Sequence, residues 1–255
     1  MSTYGLWLSA AGMKVSEHRQ NILANNVANS ATTGFKQDLA IVTQRRVESR
    51  SNLGGLPFAH PVLDKMTGGI NVRPSFTNLA PGPIDTTGRN LDLAIEGRGF
   101  FAVSDGTQTR YTRDGNFSTN RNGELILAAG DGCWKVLDDA GTPITLQPDL
   151  AEPIVSTDGN IRQGTSEVAR LGFFEAANPA ALRKAGENLF DPGISEMPPT
   201  NANLIPGALE RSNVDVLPGL ADMITAGRAY EMNANMIRLQ DETAGQAISR
   251  VGRIV

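Results

Sequence analysis

Apolar residues recur in steps of three and four at both ends of this chain and in steps of two through its middle. Toward the C-terminus, Met223, Ala226, Tyr230, Asn233, Ile237, Gln240, Ala244, Ala247, Val251 and Ile254 form one seam. The spacing predicts a long helix from about Leu220 to Val255, with polar Asn233 and Gln240 set into its apolar face. Arg228, Glu231, Arg238, Asp241, Glu242 and Arg250 fall mostly off the seam, where charges stay hydrated. From Thr3 to about Asn29 the same rhythm returns in Tyr4, Leu8, Ala11, Val15, His18, Ile22 and Asn25, widened by Leu23 and Val27. A helix cannot bury a single apolar stripe against itself. Two such helices flanking a middle of different period pair most simply with each other, which brings the termini together.

The middle reads as β structure. Leu91 to Ile95 alternates, Phe100 to Val103 resumes after Gly97 and Gly99, and Arg110 to Thr112, Phe117 to Thr119, Leu125 to Leu127 and Ile144 to Leu146 follow. Asp105-Gly106, Asp114-Gly115, Asn122-Gly123 and Asp158-Gly159 punctuate these runs, the chemistry of hairpin turns. Leu171 to Phe174, a helical turn near Pro179 and Glu187 to Phe190 complete the pattern. Between the first helix and this region, residues 51–86 carry Gly54, Gly55, Pro57, Pro61, Gly68, Gly69, Pro74, Pro81, Gly82 and Pro83. That density of breakers predicts extended chain and turns. Residues 37–50 suit a short strand or a continued helix equally. The fold class is therefore α+β: a split helical core of paired N- and C-terminal helices with an inserted antiparallel β-rich domain. The expected divisions are 1–36 with 203–255 for the helical core, 37–90 for the connecting segment and 91–202 for the inserted domain.

Composition narrows the function. The net charge of −4, with both signs mixed throughout, offers no basic patch for nucleic acid. A single cysteine, Cys133, excludes an intrachain disulfide and a cysteine-rich zinc site, and beside Trp134 it is expected as a buried small apolar residue. His18 lies on or beside the helical stripe and His60 alone in a loop, and both are expected to pack rather than bind metal. Gly97 to Ala102 fits a dinucleotide-binding string but leads into a strand, where a pyrophosphate needs a helix N-terminus. Asp114, Asn116, Ser118, Asn120 and Asn122 alternate like a calcium loop, yet Thr119 and Leu125 stand at its glycine and glutamate positions. Asn116-Phe117-Ser118 is a glycosylation string only. No catalytic constellation and no cofactor site is visible. Met1 to Met13 lack the basic and apolar regions of a secretory signal, and no stretch is long and apolar enough to span a bilayer. Taken alone, these features suggest a cytoplasmic protein.

The ends of the helices carry two further signals. Asn25, Asn26 and Asn29 crowd the last turns of the first helix, ahead of Thr32-Thr33-Gly34-Phe35-Lys36. Asparagine amides bond backbone groups and loosen a helix toward its end, and Gly34 accepts a positive φ. One Asn or Gly suffices for a stop, so the recurrence points to amides bridging to a neighbouring helix. At the other end come Gly207 to Asp215, with Ser212 or Asn213 as a stop before a helix beginning near Val214, then Met223-Ile224 and Arg228-Ala-Tyr230-Glu231-Met-Asn233.

These two motifs, at opposite ends and in this order, resemble the N- and C-terminal signatures of bacterial flagellar rod and hook proteins, and the resemblance extends across the chain. It implies a structural subunit of the basal-body rod, with no enzymatic activity, cofactor or metal. Its partners would be copies of itself, other rod and hook proteins and the flagellar export apparatus, with a weak contact to the peptidoglycan the rod crosses. Export through that apparatus without a cleaved signal replaces the cytoplasmic reading. The assembly interface implied comprises Leu8, Val15, Ile22, Asn25, Asn26, Asn29, Thr33, Gly34 and Phe35 at one end. At the other it comprises Ser212, Asn213, Met223, Ile224, Arg228, Tyr230, Glu231, Asn233 and Ile237. A heterologous contact that does not close into a ring yields a helical polymer.

Gly82 to Ile95 looks more like the proximal rod protein than the distal one, and hook members usually carry larger inserted domains. Two departures from the family bear on register. Pro218 is tolerated only in a helix's first turn, so the C-terminal helix is expected to begin there. Gly227 stands where relatives usually have Gln, costs about 1 kcal/mol in helix propensity and suits a close neighbour. A reading from another class is a carbohydrate- or peptidoglycan-binding β module whose helices only dimerise it, with Trp134 and Tyr111 as its local aromatic candidates.

Overall fold

The computed structural model describes residues 4–44, 69–130, 132–148, 150–200 and 203–251. His60, the breaker-rich stretch 51–68 and Ile254 lie outside them. By its contacts the chain forms two units: residues 1–27, 38–76 and 215–255, and residues 28–37 and 77–214. The divisions expected from the sequence fall after residues 36, 90 and 202; by contacts the chain changes unit after 27, 37, 76 and 214.

The first unit is built on helix α1, Tyr4–Ala28, and helix α2, Val216–Val251. They run antiparallel. The Gln240 amide lies over Gly5, Asn233 over Gly12, Gln20 beside Gly227 and Val27 beside Gly219. A Cβ on Gly12 would stand 2.9 Å from the Asn233 Oδ1, so the glycine sets how closely the helices approach. Ser9 and Ser16 share the face of Gly5 and Gly12 by spacing, and both are buried. Pairing of the two ends is thus as expected. Where α1 comes closest to α2 it presents Gly5 and Gly12, then Gln20 and Val27. Asn233 and Gln240 fill the α2 seam with bulky amides, and only small residues opposite leave room for them. Ile237, Tyr230 and Met223 share that α2 face and are half-buried.

Helix α2 starts two residues before Pro218. The Asp215 carbonyl accepts the first helical bond, from Gly219, and proline costs nothing in a turn whose N–H groups have no helical partner. Neither Ser212 nor Asn213 caps it; Ser212 Oγ instead accepts the Val214 N–H at 3.3 Å. Residues 37–44 do not continue α1, since a strand at Val42–Gln44 pairs antiparallel with Ile70–Val72, and residues 45–50 lie outside the described ones. Buried Gly69, just before that second strand, has no room for a side chain beneath the Trp7 indole.

The second unit centres on an antiparallel sheet. Strands Arg183–Lys184, Leu189–Asp191, Thr109–Thr112, Phe100–Ser104, Lys135–Val136, Leu125–Leu127 and Phe117–Thr119 lie side by side in that order, with Phe173–Phe174 also on Phe100–Ser104. A three-stranded sheet, Pro153–Val155, Asn160–Gln163 and Ser166–Arg170, adds Val155 and Ile161 to the core. Phe101 sits at the centre, edge-on to Phe117 with ring centroids 5.1 Å apart. Alternation put these side chains inside, as the period-two pattern requires. Ile144 and Leu146 are buried too, yet their segment makes only bridges to Glu124 and Leu137 rather than a ladder. Near Pro179 there is a single 3-10 turn capped by Asn178. Cys133 is exposed, not buried as expected.

Candidate functional site

The motif residues fall into three groups. Along α2, Met223, Tyr230, Asn233 and Ile237 face inward, while Ile224, Arg228 and Glu231 are exposed. Among the α1 residues, Val15 and Asn26 are buried and Ile22 is half-buried, whereas Leu8 and Asn25 are exposed. Asn26 does not reach for another helix. Its amide donates to the Asp38 carbonyl at 2.8 Å and accepts the Asp38 N–H at 2.9 Å, holding the returning chain as a strand neighbour would. Half-buried Asn29 closes the turn that follows, accepting from both the N–H and the hydroxyl of Thr32.

Helix α2 also carries a second apolar stripe that the one-seam reading missed. Leu217, Leu220, Ile224, Met232, Met236 and Leu239 are all exposed, Leu217 by 79% and Met232 by 66%. At 100° per residue Leu217, Ile224, Met232 and Leu239 lie about half a turn from the inward seam, with Leu220 and Met236 on its flanks. Their own three-and-four spacing is a signal the sequence carries beside the heptad through Asn233 and Gln240.

The third group is buried inside the second unit. Gly34 has φ of 65°, and a Cβ there would fall 2.5 Å from the Asp114 nitrogen, so only glycine fits. Its N–H donates to the Glu210 carbonyl at 2.7 Å. Phe35 is buried with the Lys184 ammonium 3.9 Å from its ring centre, and Lys184 also donates to the Lys36 carbonyl. Thr33 donates from its hydroxyl to Asp114 at 2.7 Å, and its carbonyl accepts the Asn188 amide at 2.7 Å. Lys36 is wholly enclosed. It donates to Glu210 Oε1 at 2.5 Å and to the Ala80 carbonyl at 2.8 Å, while Arg113 donates to Glu210 Oε2 at 3.1 Å.

Burial pushes the Lys36 ammonium below the ordinary lysine range, and Glu210 opposes the shift. Burial likewise lowers Arg113, against the pull of Glu210. It raises Asp114, with the Thr33 hydroxyl acting the other way. Replacing a buried ion pair by apolar residues is often neutral, but removing one partner leaves an uncompensated charge and is strongly destabilising. Thr33, Gly34 and Phe35 thus have their contacts within their own chain, as do Ser212, on Val214, and Asn213, on Gln37, Asn78 and Ala80. Sequence alone could not pair Lys36 with Glu210, 174 residues away.

Chemistry is sparse. Among the described residues no group of three His, Cys, Asp or Glu side chains could hold a metal ion, and no helix is long and apolar enough to cross a membrane. A cleft of about 410 Å³ is lined by Leu79, Pro81, Phe100, Ala176 and Arg113, but the guanidinium there is already engaged with Glu210 and the Gly97 carbonyl. Of the aromatics that could stack on a sugar, Tyr111 packs edge-on to Phe174 and Trp134 donates its indole N–H to Glu187.

A helical pair that leaves apolar residues exposed, joined to a β unit with its own apolar core, suits a chain that packs against other chains. Three family matches agree: residues 9–36 with the flagella basal body rod protein family, 94–163 with the flagellar hook protein FlgE/F/G D1 domain, and 205–250 with the flagellar basal body rod FlgEFG protein C-terminal family. The chain is 37% identical over 236 residues to the flagellar basal-body rod protein FlgF of Caulobacter vibrioides, covering 92% of each. It is 31% identical to the flagellar basal-body rod protein FlgG of Bacillus subtilis, covering 96% of this chain and 97% of the relative. To FlgF of Mesorhizobium japonicum it is 28% identical, covering 97% of each. The chain belongs to the flagellar basal-body rod protein family, as a structural subunit of the rod.

Proposed function

We propose that this subunit polymerises through its terminal helices and does no catalysis, and that the outward stripe of α2 is the surface neighbouring subunits cover. The observation that carries this is the exposure of Leu217, Ile224, Met232 and Leu239 on a helix whose opposite face already packs on α1. Exposed apolar patches of this extent on soluble chains mark interaction sites. Leu8, Asn25, Arg228 and Glu231 are exposed as well and belong to the same proposed interface. Met223, Tyr230, Asn233 and Ile237 support it from behind by holding α2 on α1, and Val15, Ile22, Asn26 and Asn29 order α1 and its exit.

Within the rod we place the chain in the proximal section, on the likeness of Gly82 to Ile95 to the proximal rod protein. Delivery by the flagellar export apparatus and a weak contact with peptidoglycan complete the proposal, both resting on family resemblance. The test is the double substitution Ile224→Asp with Leu239→Asp. Both sites are exposed in the free chain, so the purified variant should melt like the wild type while cells carrying it lose rods and swimming. Normal swimming would overturn the reading. Basal bodies from a strain lacking the gene should end before any proximal rod section; a rod missing only its distal part would reject the placement.

A further inference from the structure

The chain passes into or out of the second unit four times: at Ala28, after Gln37, at Thr77 and after Val214. One side chain ties three of these passages. Asn213 Oδ1 accepts the Gln37 N–H at 2.7 Å, and its Nδ2 donates to the carbonyls of Asn78 and Ala80, both at 2.9 Å. Gln37 ends its segment, Asn78 is the second residue of the next, and Asn213 is the last but one before the final exit. Both amide hydrogens are used, so the side chain has no free donor left. Glu210 repeats the arrangement with charge: its carboxylate holds Lys36, the Gly82 N–H and Arg113, and its carbonyl holds Gly34.

A single backbone strand resists twist poorly, because each residue has two soft dihedrals. Strands bridged by shared hydrogen bonds can turn only together. We propose that Asn213 is the pin of a torsion-sharing joint, braced by the buried Lys36–Glu210–Arg113 cluster, that makes the strands crossing the edge of the β unit carry twist as one body. Asn213 and Glu210 are positioning residues on this account, and the proposal rests on the reading of the chain as a rod subunit, in which such twist arises.

The test pairs an exchange measurement on the purified full chain with swimming under load. In Asn213→Ala the amides of Gln37 and Asn78 should exchange about tenfold faster or more through local opening, while Leu125 and Val103 in the sheet keep wild-type rates. Cells should assemble filaments and swim at wild-type speed in dilute medium, then lose speed steeply as viscosity rises. A sheet-core substitution, Val103→Ala, should show no such dependence on load. Glu210→Gln is the second variant and should speed exchange at Gly82 and Gly34. Unchanged exchange at Gln37 and Asn78, or a loss of speed equal at all viscosities, overturns the joint. Failure of the rod reading looks different: deletion of the gene leaves swimming intact while the exchange result stands.

Discussion

The two units bury their apolar residues to very different degrees. In the β unit Phe101, Phe117, Leu125, Leu127 and Ile161 are fully enclosed, and the strands around them are fixed by ladder hydrogen bonds. On the described parts of α1 and α2, Val15 and Ala226 are the only buried apolar residues, while α2 alone exposes Leu217, Ile224, Met232 and Leu239. One unit is finished by its own chain. The other has one helix face closed by small residues against amides and another left open, which is what a subunit needs if its core is to be completed by neighbours.

The largest effect should separate the two directly. Phe101→Ala empties the centre of the sheet and should cost about 3–5 kcal/mol in urea unfolding of the purified protein. Leu239→Ala, although it removes a large apolar side chain, should change the same measurement by no more than about 0.5 kcal/mol. Similar losses at the two sites would mean that α2 already buries its outer face in the free chain.

Next in size is the helix contact. Gly12→Val places a branched side chain where the Asn233 amide now lies, and should loosen α1 from α2 at a cost of about 1–3 kcal/mol. The loss should appear in the helical signal by circular dichroism and leave the β unit's melt untouched. A shared transition would show that the units do not unfold separately.

A third effect lies in pH. Asp114 is buried with one carboxylate oxygen unpartnered, and burial raises its pKa. The folded state then binds the proton more tightly than the unfolded chain. This contribution is complete below the ordinary carboxylate range and is lost as pH rises through the raised native value. Asp114→Asn keeps an oxygen for the Thr33 hydroxyl and the Asn116 N–H while removing the titration. Wild type minus variant stability should therefore fall as pH rises across that window and stay flat above it. A difference independent of pH would show that Asp114 titrates normally.

What the sequence disclosed follows from how local each cause is. Three-and-four spacing marked both helices, and period-two runs with Asp-Gly turns marked the sheet, because each signal is carried by neighbours in the chain. Gly5 and Gly12 are not marked by hydrophobic spacing, because close approach to Asn233 and Gln240 selects them and those partners lie more than 200 residues away. The roles of Thr33, Gly34 and Asn213 were hidden in the same way. Their partners Asp114, Glu210 and Gln37 are set by chain topology, and nothing in the local composition of Thr32 to Lys36 distinguishes a residue buried at home from one awaiting a neighbour.

The smallest prediction sharpens the contrast between glycines that set spacing and one that does not. Gly227 was expected to admit a close neighbour, yet a Cβ there would find its nearest atom, the Gln20 Nε2, at 3.9 Å. That is ordinary contact, and the position lies inside α2. Gly227→Ala should therefore stabilise the helix by roughly 0.5–1 kcal/mol through reduced freedom of the unfolded chain. The gain should appear in the helical melt of the purified subunit. If swimming also survives, no neighbour in the assembled rod needs the space that Gly227 leaves. If the stabilised subunit instead cannot build a rod, the vacancy is filled only on assembly, and the inward face of α2 belongs to the intersubunit contact as well.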